Sequence, residues 1–289
     1  MKIGFVGLGS LGTAIAENIL NQRKQLLVYN RTASKTEPMV AKGADVSQNV
    51  RQLARESDVV FSIVSDDHAL EQITMGDEGI AKNLKPAGVH ISMSTILPAT
   101  ATKLAEYHST NGNYYVAAPV MGRPEAARAR KLNFLVSGTK DIIEQVKPLL
   151  KDSGAEAIWE FGQEAATANV AKLCSNFLIA CAIESMAEAI NLARQSGLDA
   201  TAWMNMLTRT IFSAPVYVNY GKLLLDEIFK PAGFSLRLGL KDANLIVDQS
   251  SAVNAEMPFG KLMQQRLSEC VRMGLGDHDW TAVALALKK

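Results

Sequence analysis

Three glycines near the N-terminus constrain the fold of this chain more than any other feature. They follow an apolar run, Ile3–Val6, and lead into an amphipathic stretch, Leu11–Leu20. In a strand–loop–helix unit the first glycine permits a tight turn, the second lets a pyrophosphate approach the backbone, and the third lets helix and strand pack closely. The loop is therefore predicted to bind a dinucleotide at the positive end of the helix. Its residues are Gly7, Leu8, Gly9, Ser10, Leu11 and Gly12.

The first half of the chain alternates short β-branched runs with amphipathic stretches, which is typical of a parallel sheet with helices on both faces. The predicted strands are Ile3–Val6, Gln25–Tyr29, Val59–Ile63, Val89–Ile91 and Tyr114–Val116. The predicted helices are Leu11–Leu20, Thr36–Lys42, Asp67–Ile73 and Ala99–Ser109. Two later runs, Leu132–Ser137 and Glu156–Ile158, are predicted to extend the same sheet.

The second half is predicted to be helical. Neither proline nor glycine occurs from Ala165 to Arg194, and a helix of roughly 30 residues would be about 45 Å long. Further helices are predicted at Ala200–Thr210, Val216–Asp226, Leu236–Gln249, Pro258–Met273 and Asp279–Leu287. The predicted fold class is α/β, with an N-terminal doubly wound Rossmann domain at 1–161. An all-α domain at 162–289 follows, joined to the first by the long interdomain helix.

The composition excludes several classes of partner. Hydrophobic residues make up 48% of the chain and the formal net charge is +1, so nothing electrostatic favours nucleic acid or an anionic membrane. The cysteines and histidines lack metal-ligand spacing, so no metal is expected, and Cys174, Cys181 and Cys270 are expected to be buried thiols. No signal segment precedes the glycine loop, and the apolar stretch Leu173–Ile183 is too short for a bilayer. A cytoplasmic protein is therefore expected.

The end of the second predicted strand indicates the cofactor. NAD enzymes usually carry an acidic residue there for the ribose 2′-hydroxyl, whereas this chain has Asn30, which brings no charge to repel a phosphate. Arg31 suits bidentate phosphate binding, and Thr32 and Lys35 are expected to complete the pocket. NADPH is therefore the predicted cofactor; the alternative is an arginine that merely lies in an exposed loop.

Lys172 and Asn176 lie four residues apart in the long predicted helix and share one face. The helix is nearly uncharged from Ala165 through Ile183, so the lysine is expected to be partly desolvated, with a lowered pKa. Hydride transfer to a carbonyl builds negative charge on oxygen, which an ammonium stabilises and then protonates. From position alone, however, a lysine that reaches solvent along the helix is the more frequent case.

Five motifs in the right order make this chain resemble the β-hydroxyacid dehydrogenase family along essentially its whole length. That family includes 3-hydroxyisobutyrate dehydrogenase, tartronate semialdehyde reductase and the glyoxylate/succinic semialdehyde reductases. The motifs are the run Gly4–Gly12, Asn30-Arg31-Thr32, Ser94-Thr95-Ile96 with Pro98-Ala99-Thr100, Lys172 with Asn176, and Phe234 with Leu240-Lys241-Asp242. The C-terminal run Asp279-Trp280-Thr281-Ala282 is similar to a further family signature.

The resemblance implies NADPH-dependent reduction of a small aldehyde or 2-oxo acid of the glyoxylate or semialdehyde kind, with Lys172 as general acid. It also implies a homo-oligomer, since members are commonly dimers or tetramers. Further cofactor contacts are expected from Thr95, Phe234 and Lys241. Substrate contacts are expected from Ser94, Met121, Gly122, Arg123, Lys172 and Asn176. Independently, Val64, Ser65 and Asp66 follow a strand end, where loops border the cofactor in open α/β sheets.

The chain departs from the family where the substrate is expected to bind. Met121 replaces a serine that in the family helps to hold the substrate carboxylate, so one donor is lost. Arg123 either supplies charge instead or faces solvent, and the sequence leaves both open. Arg130 replaces a family glycine, and Ala166 and Ala168 stand where glycines often precede the lysine.

Three alternatives remain. Imine reductases share the architecture, and the loss of the serine at Met121 is consistent with a less acidic substrate. The decarboxylating 6-phosphogluconate dehydrogenase carries a histidine three residues after its lysine, where this chain has Ser175. A binding module that senses NADPH without turnover is the hypothesis from a different class, and Lys172 with Asn176 argues against it.

Overall fold

The computed structural model of the chain describes residues 1–287, which form two compact units. Unit 1 comprises Met1–Lys172, and unit 2 begins at Leu173. The division falls inside one continuous helix, α9 (Ala166–Gln195), which confirms the long helix expected from the absence of glycine and proline. The predicted domain boundary at residue 162 lies just before that helix and stays a prediction.

Unit 1 is built on a six-stranded parallel sheet with the strand order β3-β2-β1-β4-β5-β6. The strands are β1 (Ile3–Val6), β2 (Leu27–Tyr29), β3 (Asp45–Val46), β4 (Val59–Ser62), β5 (Val89–Ser92) and β6 (Tyr114–Ala117). The order reverses direction beside β1, so the carboxyl ends of β1 and β4 border the crevice where such sheets bind ligands. The predicted doubly wound sheet is confirmed.

Helices connect these strands. They are α1 (Ser10–Arg23), α2 (Glu37–Val40), α3 (Val50–Glu56), α4 (Asp67–Thr74), α5 (Ile80–Asn83), α6 (Pro98–Thr110), α7 (Pro124–Arg128) and α8 (Lys140–Asp152). A 3₁₀ segment, Ala33–Thr36, occupies the start of the predicted helix at 36–42. The predicted helices at 11–20, 67–73 and 99–109 each match an observed one to within a few residues.

The later strands form a second sheet, and the prediction that they extend the first one is wrong. β7 (Val120–Met121), β8 (Leu132–Val136) and β9 (Ala155–Glu160) pair in the order β7-β8-β9. β7 runs antiparallel to β8, and β8 runs parallel to β9. One isolated antiparallel bridge, between Ala117 and Ser137, links the two sheets.

Unit 1 buries a chain of hydrogen-bonded, uncharged polar side chains that runs from β4 through β5 and α6 to the residue before β6. Asn113 Nδ2 donates to the Ala81 carbonyl, so Asn113 Oδ1 accepts the proton on His108 Nδ1. His108 Nε2 then accepts from His90 Nδ1 at 2.9 Å, and His90 Nε2 accepts from the Ser62 hydroxyl at 2.8 Å. Both histidines are completely buried, so desolvation lowers their pKa values, that of His108 to about 4.

Unit 2 contains the rest of α9 and four further α-helices among its described residues. These are α10 (Ala200–Thr208), α11 (Pro215–Leu225), α12 (Leu236–Ala252) and α13 (Pro258–Cys270). A π-helical turn, Val271–Leu275, and a 3₁₀ segment, Trp280–Leu287, follow. The predicted all-helical second half is confirmed for 173–287. The helix predicted at 258–273 ends in the π-helical turn, and the one predicted at 279–287 is a 3₁₀ segment.

Helix α9 is apolar enough, over 30 residues, to satisfy the length and hydropathy criteria for a membrane span, and half of its most apolar window is buried within the protein. It is the one helix in residues 1–287 to do so. Core helices of globular proteins satisfy the same criteria. Its cysteines correct one expectation, because Cys174 is exposed and Cys181 is half-buried, whereas Cys270 of α13 is buried as expected.

Candidate active site

The glycine loop has the geometry that its spacing predicts. Gly7 has a φ of +102°, and a Cβ there would lie 2.0 Å from the Ile63 carbonyl oxygen. A Cβ on Gly12 would lie 2.1 Å from the Gly7 carbonyl oxygen, so helix and strand approach too closely for any side chain. Gly9 differs, because no described atom lies within 4 Å of a Cβ placed on it. The first and third glycines thus shape the loop, and the second leaves open space above it.

That open space lies at the N-terminus of α1. Gly9 is the N-cap residue, and the described first turn carries neither a side-chain cap nor an acidic residue. Gly9 and Ser10 are exposed, while Leu8 is buried beneath them. Backbone amides and the positive helix end therefore face the region that a pyrophosphate would fill.

Asn30 holds the glycine loop in place. The sequence analysis had noted only that this residue carries no charge. Its Oδ1 accepts from the Leu8 backbone N–H at 2.9 Å, and its Nδ2 donates to the Thr32 carbonyl at 2.9 Å. Arg31, Thr32 and Lys35 are exposed beside it, where β2 ends. The three residues predicted to hold a 2′-phosphate are therefore accessible to a ligand.

The loops after β4 and β5 are tied together. Ser94 Oγ accepts from the Val64 backbone N–H at 2.9 Å, and Ser94 is only 2% exposed. Asp66 caps α4 by accepting from Ala69 N–H, and Ser65 Oγ donates to the same carboxylate. Thr95 is half-buried. Ser94, predicted to touch substrate, thus already acts as a brace between two strand ends.

Lys172 is buried and does not reach solvent along the helix. It is 8% exposed, and its Nζ lies 3.4 Å from the sulfur of Met121. Met121, Ala171 and Val64 pack against the same buried cluster, which places the start of α9 beside the loop that follows β4. Lys172 therefore lies in the interior of unit 1, with its ammonium beside the Met121 sulfur.

The segment after Met121 carries two further departures from the family, Arg123 and Arg130. Gly122 has a φ of +141°, and a Cβ there would lie 2.5 Å from Leu132 Cδ2. Arg123 Nε lies 3.7 Å from Glu125 Oε2, so its charge has a neighbouring carboxylate. Arg130 has a φ of +57°, a conformation that glycine adopts most easily, and its guanidinium donates to the Lys151 and Asp152 carbonyls at the end of α8.

In unit 2, Asn176 is held by Asp242, which the sequence analysis quoted within a motif but to which it assigned no role. Its Nδ2 donates to Asp242 Oδ2 at 2.5 Å, and Lys241 Nζ lies 2.6 Å from Asp242 Oδ1. Asn176 and Asp242 are 4% and 2% exposed. The sequence signal for this role was Asp242 itself, an acidic residue on the otherwise uncharged buried face of α12, next to Lys241. Because one amide hydrogen is committed to Asp242, the orientation of the Asn176 amide is fixed.

The late aromatic residue belongs to a separate brace in unit 2. Phe234 and Trp280 pack edge to face with ring centroids 4.7 Å apart. Asp279 Oδ2 accepts from the Gly233 and Phe234 backbone N–H groups, and its Oδ1 accepts from the Thr281 hydroxyl. The C-terminal signature therefore fixes the loop that carries Phe234.

Together these groups offer a dinucleotide cradle and a shielded ammonium in unit 1, and an oriented amide in unit 2. Within residues 1–287 no group of three or more His, Cys, Asp or Glu side chains has a metal-binding arrangement.

Two family models together match nearly the whole described chain. Residues 2–162 match the family model of the NAD-binding domain of 6-phosphogluconate dehydrogenase. Residues 166–287 match the model described as NAD-binding of NADP-dependent 3-hydroxyisobutyrate dehydrogenase. An uncharacterized oxidoreductase of Bacillus subtilis, YfjR, is 38% identical over the full length of both chains. Glyoxylate/succinic semialdehyde reductase 2 of Arabidopsis thaliana is 27% identical over all of this chain and 80% of its own.

Solved structures share the fold. The 3-hydroxyisobutyrate dehydrogenase of Mycobacterium tuberculosis has a TM-score of 0.87, with 23% identity over 100% of this chain and 99% of its own. An imine reductase of Streptomyces aurantiacus has a TM-score of 0.68, with 18% identity over the whole of both chains. The nicotinamide dinucleotide is thus the cofactor, and the chain is an oxidoreductase that belongs to the β-hydroxyacid dehydrogenase family.

Proposed function

We propose that this protein reduces a small aldehyde or 2-oxo acid, of the glyoxylate or semialdehyde kind, with NADPH. The observation that carries the proposal is the burial of Lys172, which is 8% exposed and has its Nζ beside Met121. Removing an ammonium from water is costly, so a lysine is rarely buried unless its partners or the chemistry of a site compensate for that cost.

The bound nicotinamide supplies a hydride to the carbonyl carbon. The chain's own part begins with the glycine loop, whose exposed amides at the start of α1 hold the pyrophosphate. Lys172 stabilises the negative charge that develops on the carbonyl oxygen and donates a proton to it. Asn176, with its amide fixed by Asp242, orients the substrate from one helical turn further along α9.

We assign the preference for NADPH to the residues that follow β2. Asn30 brings no negative charge, and Arg31 with Lys35 is exposed beside it. We expect Arg31→Ala to lower kcat/KM with NADPH about 10- to 100-fold and to leave that with NADH nearly unchanged, since only the phosphate needs the guanidinium. The exposed Arg128 of the same unit gives the matched control, Arg128→Ala. A wild-type preference for NADH would overturn the assignment.

The proposed activity is tested by following NADPH oxidation with glyoxylate, succinic semialdehyde and uncharged aldehydes. Tight binding of NADPH, measured by its fluorescence, without oxidation by any carbonyl compound would favour a sensor of the cofactor over an enzyme.

Imine reduction is the second candidate, because the thioether of Met121 offers a substrate carboxylate no hydrogen-bond donor. A panel of cyclic imines assayed beside the carbonyl compounds separates the two, and turnover confined to imines would replace the lead proposal.

We further propose that the chain works in the cytoplasm as a homo-oligomer. Unit 2 exposes apolar side chains on α9 and α13, including Leu178, Leu192, Phe259 and Leu262, each more than half exposed. Apolar side chains that lie together on an exposed helix face are typical of a protein–protein interface. Light scattering after size-exclusion chromatography tests the assembly, and a monomer at micromolar concentration would contradict it.

A further inference from the structure

Met121 is the residue that decides what lies beside the proposed proton donor. Its sulfur is 3.4 Å from Lys172 Nζ, and it ends β7, opposite Asn133 of β8. It is half-buried and packs with Val64 and Ala171 against one apolar cluster. A molecule whose carbonyl oxygen meets the Lys172 ammonium therefore has a thioether as a close neighbour.

A thioether treats charged and uncharged groups differently. Methionine has no N–H or O–H, and its sulfur is only a weak acceptor. A carboxylate placed against it gives up water without gaining a hydrogen bond, which is costly for a charged group. An alkyl or aryl group in the same place loses little and gains packing, because the flexible, polarizable methionine side chain adapts to irregular shapes.

The neighbouring polar groups do not replace the missing donor. Ser94 accepts from the Val64 backbone and keeps its hydroxyl hydrogen, but at 2% exposure it presents very little surface to a ligand. Arg123, two residues after Met121, has the Glu125 carboxylate 3.7 Å from its Nε, which partly balances its charge.

We infer that Met121 determines specificity by disfavouring a carboxylate next to the reacting carbonyl. The preferred substrate is an uncharged aldehyde or ketone whose alkyl or aryl group packs on the thioether. This inference rests on the proposed carbonyl reduction and narrows its substrate class to aldehydes and ketones without a carboxylate next to the carbonyl, in place of 2-oxo acids such as glyoxylate.

The test uses pairs of molecules with the same shape and different charge. Isobutyraldehyde and glyoxylate differ only in an isopropyl group against a carboxylate, and kcat/KM is measured for both with NADPH. Isobutyramide and oxamate form the corresponding unreactive pair, whose binding to the protein–NADPH complex is followed by nicotinamide fluorescence. We expect the wild-type protein to favour the uncharged member of each pair by about 10-fold or more, since one charge-assisted hydrogen bond is missing.

Two variants assign the preference to the sulfur. Met121→Ser restores a donor and is expected to shift both ratios toward the anion by about 10-fold or more. Met121→Leu keeps an apolar side chain of similar volume and is expected to leave both ratios within about threefold. A wild-type preference for glyoxylate and oxamate, or ratios that Met121→Ser does not change, would overturn the inference. If neither aldehyde is reduced, the proposed function fails, whereas the amide pair still measures the selectivity of position 121.

Discussion

The two units bury charge in opposite ways. Within the described part of unit 2 the buried charged side chains are carboxylates, Glu184, Asp242 and Asp279, and each accepts hydrogen bonds from donors of the same unit. Unit 1, all of whose residues are described, buries one charged side chain other than histidine, the ammonium of Lys172. Its Nζ lies 3.4 Å from the Met121 sulfur. The buried carboxylates hold neighbouring donors of unit 2 in place, whereas we assign the buried ammonium to the proposed reaction.

Replacement of Lys172 tests this contrast with the largest expected effect. We expect Lys172→Ala to lower kcat about 10²- to 10⁴-fold, the usual contribution of a positioned general acid. NADPH affinity should change less than about threefold, because the glycine loop and Arg31 are untouched. Lys151→Ala, at an exposed position on α8 of the same unit, is the control. Full turnover in Lys172→Ala would make the lysine one more structural residue.

The glycines of the loop have two different roles, which substitution by alanine can distinguish. Gly12 allows close packing of the backbone, whereas Gly9 leaves room for a ligand. Gly12→Ala is expected to destabilise the protein by about 3 kcal/mol or more, because its Cβ would meet backbone at 2.1 Å. Gly9→Ala meets no described atom within 4 Å, so its Tm should stay within about 2 °C of wild type. NADPH affinity should nevertheless fall about 10-fold or more in Gly9→Ala, as titration by fluorescence would show. An unaltered affinity would mean that the pyrophosphate lies elsewhere.

These two sites also mark what the sequence could and could not reveal. The glycine loop was predictable because strand, turn and helix are consecutive, and each glycine answers a local steric demand. The contact of Met121 with Lys172 joins residues 51 apart, and that of Asn176 with Asp242 joins residues 66 apart. Neither contact produces a local pattern, since each depends on how separate elements pack. The second sheet was missed for the same reason, because a β-branched run does not reveal which strand it will pair with.

The charged brace in unit 2 gives the next prediction. Arg266 Nε donates to Glu184 Oε1 at 2.8 Å, and both side chains are less than one-fifth exposed. Burial raises the pKa of Glu184, and the Arg266 guanidinium acts against that rise. Arg266→Met leaves the carboxylate buried without its partner and is expected to cost about 3 kcal/mol in the free energy of unfolding, measured with urea.

Two further variants show whether the loss comes from the buried charge. Arg266→Met combined with Glu184→Leu should recover most of the stability, since an apolar pair of similar volume replaces the ions. Lys222→Met removes an exposed ion pair with Asp226 on α11 and should cost less than about 1 kcal/mol. Equal losses from Arg266→Met and Lys222→Met would contradict the role assigned to burial.

The smallest predicted effect is that of acid, which should lower the stability of unit 1 more than that of unit 2. Burial lowers the pKa of His108 to about 4, so between about pH 6.5 and about pH 4 the unfolded chain binds the proton first and unit 1 loses stability as the pH falls. The loss from His108 alone is roughly 2 kcal/mol at pH 5, and His90, whose pKa is also lowered by burial, adds to it. Glu184 acts in the opposite direction, because a carboxyl whose pKa is raised by burial binds its proton first in the folded chain.

Hydrogen exchange followed by mass spectrometry at pH 7 and pH 5, corrected for intrinsic exchange rates, tests this difference. At pH 5 the segments around His90 and His108 should be less protected, with α9 and α13 less affected. The variant His68→Gln, at an exposed histidine of unit 1, should leave the pattern unchanged. Uniform loss of protection in both units would show that the histidine pair does not determine the response to acid.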